Sequence, residues 1–125
     1  MRLFRKWRPD QISLVVVVEA EGLDDYGQQR LSDMWHGLFV AAQGKAVADA
    51  YASTPRRERR VFLERIVFVL HQWYKGSRDS VENKYGPQPL ITKFEVWVCR
   101  GNVVVAPEGV ADVIAILDLR RGKVL

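Results

Sequence analysis

From Ile12 to Val18 the chain reads ISLVVVV, an apolar, β-branched run broken only by Ser13, with no alternation of polar and apolar positions. That pattern predicts a strand buried on both faces and placed centrally in a sheet. Past Glu19–Asp25 the period lengthens, and Leu31, Met34, Trp35 and Leu38 recur at three- and four-residue intervals. The spacing predicts a helix that starts between Asp24 and Gln28, with Asp24 and Asp25 near its positive end, and runs towards Ala52. Gly37 and Gly44 each weaken that helix by about 1 kcal/mol relative to alanine, so a break is expected near Gly44. Gly37, Ala41, Gly44 and Ala48 stand at i, i+4, i+7 and i+11 and leave one side of the helix nearly bare.

Thr54 to Gly76 is the longest segment with a signal at each end. Thr54 suits an N-cap, Pro55 the first helical position and Gly76 the left-handed residue past the end. Its middle is apolar over two overlapping stripes, Phe62, Ile66, Val69, Leu70 and Trp73 with Leu63, Val67 and Tyr74. Such a helix is covered from two directions. The short connection from Ala52 to Pro55 predicts an antiparallel helical hairpin, with the bare stripe of the first helix receiving the second.

From Ser77 to Leu90 periodicity is lost, and Gly86, Pro87 and Pro89 predict a loop of about a dozen residues. Loops of that length often carry function, which makes Arg78, Lys84 and Tyr85 candidate partner-binding residues. Ile91–Cys99 alternates as a strand, Gly101-Asn102 suits a two-residue hairpin turn, and Val103–Ala106 would return alongside. Val110–Leu119 carries helix-end chemistry at both ends, but Val113, Ala115, Leu117 and Leu119 share a strand face, and strand is the reading adopted. Lys123–Leu125 adds a short return. The order β-α-α-β-β-β predicts a single α+β domain over residues 12–125, a helical hairpin on one face of a mostly antiparallel four-stranded sheet, preceded by a basic, aromatic arm or edge strand at 1–11. If Phe94, Val96 and Val98 face the helices, Trp97, Glu95 and Cys99 lie on the opposite face. A tryptophan there calls for a second subunit or another bound partner.

Composition changes this picture in three places. At 125 residues and 48% apolar, the chain has enough material for one core. A lone cysteine, Cys99, rules out an intramolecular disulfide and favours a reducing, cytoplasmic setting. No apolar run is long enough to span a bilayer, and Pro9, Asp10, Glu19 and Glu21 interrupt the resemblance of the first residues to a signal peptide. The net charge of +4 is unevenly placed, with four basic groups in residues 1–9, −5 over Asp10–Ser53 and +5 over Thr54–Arg100. The two inner segments are electrostatically complementary.

Candidate chemistry is sparse. His36 with Asp33, and His71 with Glu64, allow a metal site between the helices to be drawn. The Glu-x-x-His and Cys-rich patterns of such sites are missing, and no metal is expected. Cys99 at the end of an apolar strand lacks the electropositive setting of a nucleophile, and no serine elbow or phosphate loop occurs. No catalytic residue and no cofactor is expected. Arg56, Arg57, Arg59 and Arg60 crowd the start of the second helix, where the dipole costs each about 0.3–1 kcal/mol. With Arg5, Lys6, Trp7 and Arg8 of the arm they compose an alternative surface for single-stranded nucleic acid. A third reading is a small-molecule enzyme with a pocket lined by Trp35, Trp73, Tyr51 and Tyr74. The leading expectation is a non-enzymatic protein-binding or assembly module that self-associates as a homodimer, through the Trp97 and Glu95 sheet face or an edge strand.

Overall fold

Phe94, Val96 and Val98 alternate along one strand and point at two helices, and the remaining elements are laid around that contact. A computed structural model describes residues 12–101 and 112–125. The arm expected at 1–11 and the return strand expected at Val103–Ala106 therefore fall outside the described residues. β1 spans Ile12–Ala20, α1 Asp25–Phe39, a π-turn Val40–Gly44, α2 Lys45–Ser53, α3 Arg59–Tyr85, β2 Ile91–Arg100, β3 Val113–Asp118 and β4 Lys123–Val124. The four strands form one antiparallel sheet in the order β1-β2-β3-β4, with the helices on one face. This is the α+β arrangement that the order of periodicities predicts.

Asp24 caps α1 by accepting the Gly27 N–H at 2.8 Å. The helix does not break at Gly44; it passes through the π-turn, whose first N–H, that of Val40, bonds the carbonyls of both Gly37 and His36. The extra residue has a packing consequence. Leu31, Trp35 and Phe39 face the core, and an uninterrupted 3.6-residue period from Phe39 would bring positions 46 and 50 inward. The one-residue insertion brings Val47 and Tyr51 inward instead, and both are buried.

The stripe of small residues does not receive the second helix. Gly37 and Ala41 are exposed, Gly44 is buried beneath Phe39, and the helices are held apart by rings. Trp35 meets Trp73 edge-on at 6.1 Å, Phe39 meets Trp73 at 5.6 Å and Tyr51 meets Phe62 at 6.2 Å. Contacts 35–73, 39–73 and 51–62 run in opposite senses along the two helices, so the hairpin is antiparallel. Each ring pair contributes about 0.5–1.5 kcal/mol beyond the area it buries.

The start of α3 also differs from expectation. Thr54 is extended and ends α2, its hydroxyl donating to Ala50 O at 2.7 Å, and Pro55 is extended as well. A 3-10 turn over Arg56–Glu58 leads into α3. At the far end α3 does not stop at Gly76 but continues to Tyr85, so Ser77–Tyr85 is helix and only Gly86–Leu90 is connection. Gly86, with φ of +88°, terminates it, its N–H bonding Glu82 O at 2.8 Å. Val81, two turns beyond Tyr74, is buried and draws the last turns onto the core.

On its inner side β2 pairs with β1 from Ile12↔Arg100 to Ala20↔Ile91, and on its other side with β3 from Glu95↔Asp118 to Cys99↔Val113. The hairpin partner of β2 is thus Val113–Asp118. Among the described strands β1 lies at the edge of the sheet and not centrally.

Candidate protein-interaction site

β1 combines buried faces with an open edge. Val15, Val16 and Val18 are 2%, 6% and 3% exposed, which explains the apolar run. Faces and edges are independent properties of a strand, however, because side chains leave perpendicular to the sheet while N–H and C=O groups lie in it. The direction of the backbone groups is fixed by their bonds. Leu119 N–H bonds Phe94 O at 2.9 Å and Arg100 N–H bonds Asp112 O at 2.8 Å, so even-numbered residues of β2 face β3. Opposite them, the even-numbered residues of β1 turn their N–H and C=O groups outward, away from β2.

α1 runs beside that edge and fills part of it. Gln28 Nε2 donates to Val18 O at 2.5 Å, and Gln28 Oε1 accepts the Ala20 N–H at 3.3 Å, so one side-chain amide occupies the places of a neighbouring strand's peptide. Ser32 Oγ reaches the same Val18 carbonyl at 3.5 Å. No described residue takes the outward N–H and C=O groups of Ile12, Leu14 and Val16. Between the edge and α1 lies an open groove of about 350 Å³, lined by Val15–Glu19, Gln28, Gln29, Ser32, Asp33 and His36. Asp33 accepts from Gln29 Nε2 at 2.8 Å. A turn further along, on the same side of α1, a Cβ on Gly37 would meet nothing within 4 Å.

The partner-binding residues expected from the sequence fall in two separate places. Trp97 and Glu95 share the sheet face opposite the helices and are joined there, the indole N–H donating to Glu95 Oε1 at 2.9 Å. That face is not bare, since Glu95 is 9% exposed, Asp118 across the strand pair 7%, and Cys99 is fully buried with its thiol pushed up by burial. Trp97 itself is half-buried. Arg78, Lys84 and Tyr85 lie on the last turns of α3, on the helix side, and are exposed. Arg78 stands over the Tyr74 ring and Lys84 over the Tyr85 ring, at 5.9 and 5.2 Å. Tyr85 also borders an open hollow of about 430 Å³ with Leu23, Arg30, Met34 and Pro89.

The arginine group at the start of α3 is divided by its contacts. Arg59 bonds the carbonyls of Thr54 at 2.9 Å and Ala52 at 3.2 Å and covers the Tyr51 ring, so it fastens the end of α2. Arg60 pairs with Glu64 at 3.4 Å and Arg57 with Glu58 at 4.0 Å. Arg5, Lys6, Trp7 and Arg8 lie outside the described residues. Trp35, Tyr51 and Tyr74 are 1%, 4% and 2% exposed and pack on other rings. His71 is held by the Leu119 carbonyl, and among the described residues no three acid, histidine or cysteine groups stand together as metal ligands. No described helix is long and apolar enough to cross a membrane.

The open edge is what the sequence reading missed as a place. A signal was available: three of four strands are grouped after the helices, and a first strand that joins such a meander by antiparallel pairing ends at its border. No protein-family model, curated protein or solved structure matches the chain.

Proposed function

We propose that this protein is a non-enzymatic assembly module that accepts a partner's β-strand on the outer edge of β1. The observation that carries the reading is the edge from Ile12 to Val16, which no described residue covers. Proteins normally protect edge strands with charge, proline or a bulge. β1 has none of these until Glu19 and the register shift at Glu19/Ala20. Added strands gain affinity from main-chain hydrogen bonds and specificity from what lies beside them, here the polar groove wall of Gln29, Asp33 and His36. The interaction reading therefore shifts from the Trp97 face, where Glu95 and Cys99 are already buried, to the β1 edge.

A photo-crosslinking amino acid at the exposed position Gln29 tests it. In extracts of the source cells, a discrete covalent protein adduct is expected, identified by mass spectrometry with the cross-link mapped to an extended segment of the partner. Absence of any adduct at Gln29, with the folded protein present, overturns the reading.

A further inference from the structure

Resting on the β1-edge reading, we infer that the strand taken up is β1 of a second copy, paired antiparallel about a two-fold axis at Leu14. Gln28 occupies Val18 O and Ala20 N–H, which leaves Ile12, Leu14 and Val16 as the outward-facing residues with nothing described on them. An isologous contact presents the same patch from both sides. Three open residues centred on Leu14 satisfy that condition in one register, Leu14 opposite Leu14 of the second copy and Ile12 opposite its Val16. Each of these three pairs is of the hydrogen-bonded kind, for about six main-chain bonds across the axis. Gln28 thereby sets the register, since a shift towards Val18 would have to displace it.

The side chains agree with self-pairing. From Ile12 to Val18 there is no charge, so no like-charge pair arises between the strands, and every residue except Leu14 and Ser13 is a β-branched strand former. Antiparallel pairing also extends the sheet in the sense it already has and leaves both helical layers on one side. It brings the groove-facing side of α1 towards the same side of the second α1. Asp33 and His36 lie three residues apart on that side, so each copy turns an acid and a base towards the acid and base of the other. The open space at Gly37 lets the two helices approach. A strand of unrelated sequence would meet the hydrogen-bonding groups equally well but has no reason to match the acid and base of α1 in this order.

The test is self-association measured by sedimentation velocity over a concentration series, with two variants that act differently. Leu14→Pro removes an outward N–H at a half-buried edge position, where proline is tolerated. It is expected to abolish the dimer with the circular dichroism of the wild type retained. Asp33→Lys changes only an exposed side chain, is indifferent to folding of the strand, and is expected to weaken dimerisation at least threefold. Asp33→Lys combined with His36→Asp should restore it. In a mixed-isotope sample, an interchain contact between the α-protons of Ser13 and Val15 reports the Leu14-centred register.

A dimer that survives Leu14→Pro and Asp33→Lys overturns the inference and moves the interface elsewhere. A different interchain register overturns the Leu14 axis. A wild-type protein that stays monomeric at every concentration, yet cross-links at Gln29 to another protein, overturns self-pairing while the assembly reading stands. Failure of both experiments removes both.

Discussion

Gly122 lies against the imidazole of His71, so closely that a Cβ at Gly122 would stand 3.2 Å from the ring's Cγ. The contact joins the turn after β3 to the middle of α3. His71 donates from Nδ1 to the Leu119 carbonyl at 2.5 Å, which places the proton on that nitrogen because a carbonyl only accepts. Gly122 has φ of +70° and bonds Asp118 O at 2.8 Å. Gly122→Ala is therefore expected to destabilise the fold by about 1–3 kcal/mol, from the left-handed backbone and from the ring together. In a His71→Ala background the backbone part alone should remain, and equal costs in the two backgrounds by urea unfolding would refute the contact.

Gly76 gives the opposite expectation. It sits in the interior of α3, exposed, with nothing within 4 Å of a Cβ. Gly76→Ala should stabilise the protein by about 1 kcal/mol, the difference in helix propensity. A loss of stability in thermal unfolding would mean that the helix does not pass through this position.

These two glycines also show where sequence reading succeeds and where it stops. Gly76 after Tyr74 and Lys75 has the look of a helix end. Against it stands Val81, seven residues past Tyr74, whose burial draws two further turns onto the core. A single apolar position among Ser77, Arg78, Asp79, Ser80 and Glu82 is a faint signal, and tertiary packing outweighed it. The true terminator, Gly86 followed by Pro87, was readable in the same stretch. β2 and β3 were legible because alternation over several residues has no other good explanation, and their faces followed from it. The edge position of β1 was not, because an apolar run reports burial of faces and says nothing about which N–H groups are paired. The separation of α1 from α3 by Trp35, Phe39 and Trp73 was hidden for a similar reason. Small residues permit close approach but do not compel it when large rings on adjoining positions fill the space first.

Tyr74 carries a hydroxyl that is buried with no hydrogen-bond partner among the described groups. Its ring is packed at 4.6 Å from Phe94 and 5.7 Å from Trp35. An unmet buried hydroxyl loses its hydration without return, at a cost of about 1–3 kcal/mol. Tyr74→Phe keeps the ring contacts and removes that cost, so it should raise stability by about 1 kcal/mol in denaturant unfolding. A clear loss instead would reveal a partner for the hydroxyl.

Cys99 supplies a pH dependence whose sign follows from its burial. The thiol is inaccessible at the end of β2, and desolvation pushes its pKa above that of an ordinary thiol. Above the ordinary thiol pKa the unfolded chain releases its proton while the folded chain keeps it. The stability that the neutral thiol contributes is thus complete below that pH and is lost as pH rises through the folded value. The decline reaches at most about 1.4 kcal/mol per pH unit. Other groups titrate in the same range, so the informative quantity is the stability of the wild type minus that of Cys99→Ala. That difference should shrink as pH rises through the ordinary thiol pKa and on towards the raised folded value, and a thiol reagent should modify the native protein far more slowly than the unfolded one. A difference independent of pH, with rapid native-state modification, would place the thiol in water.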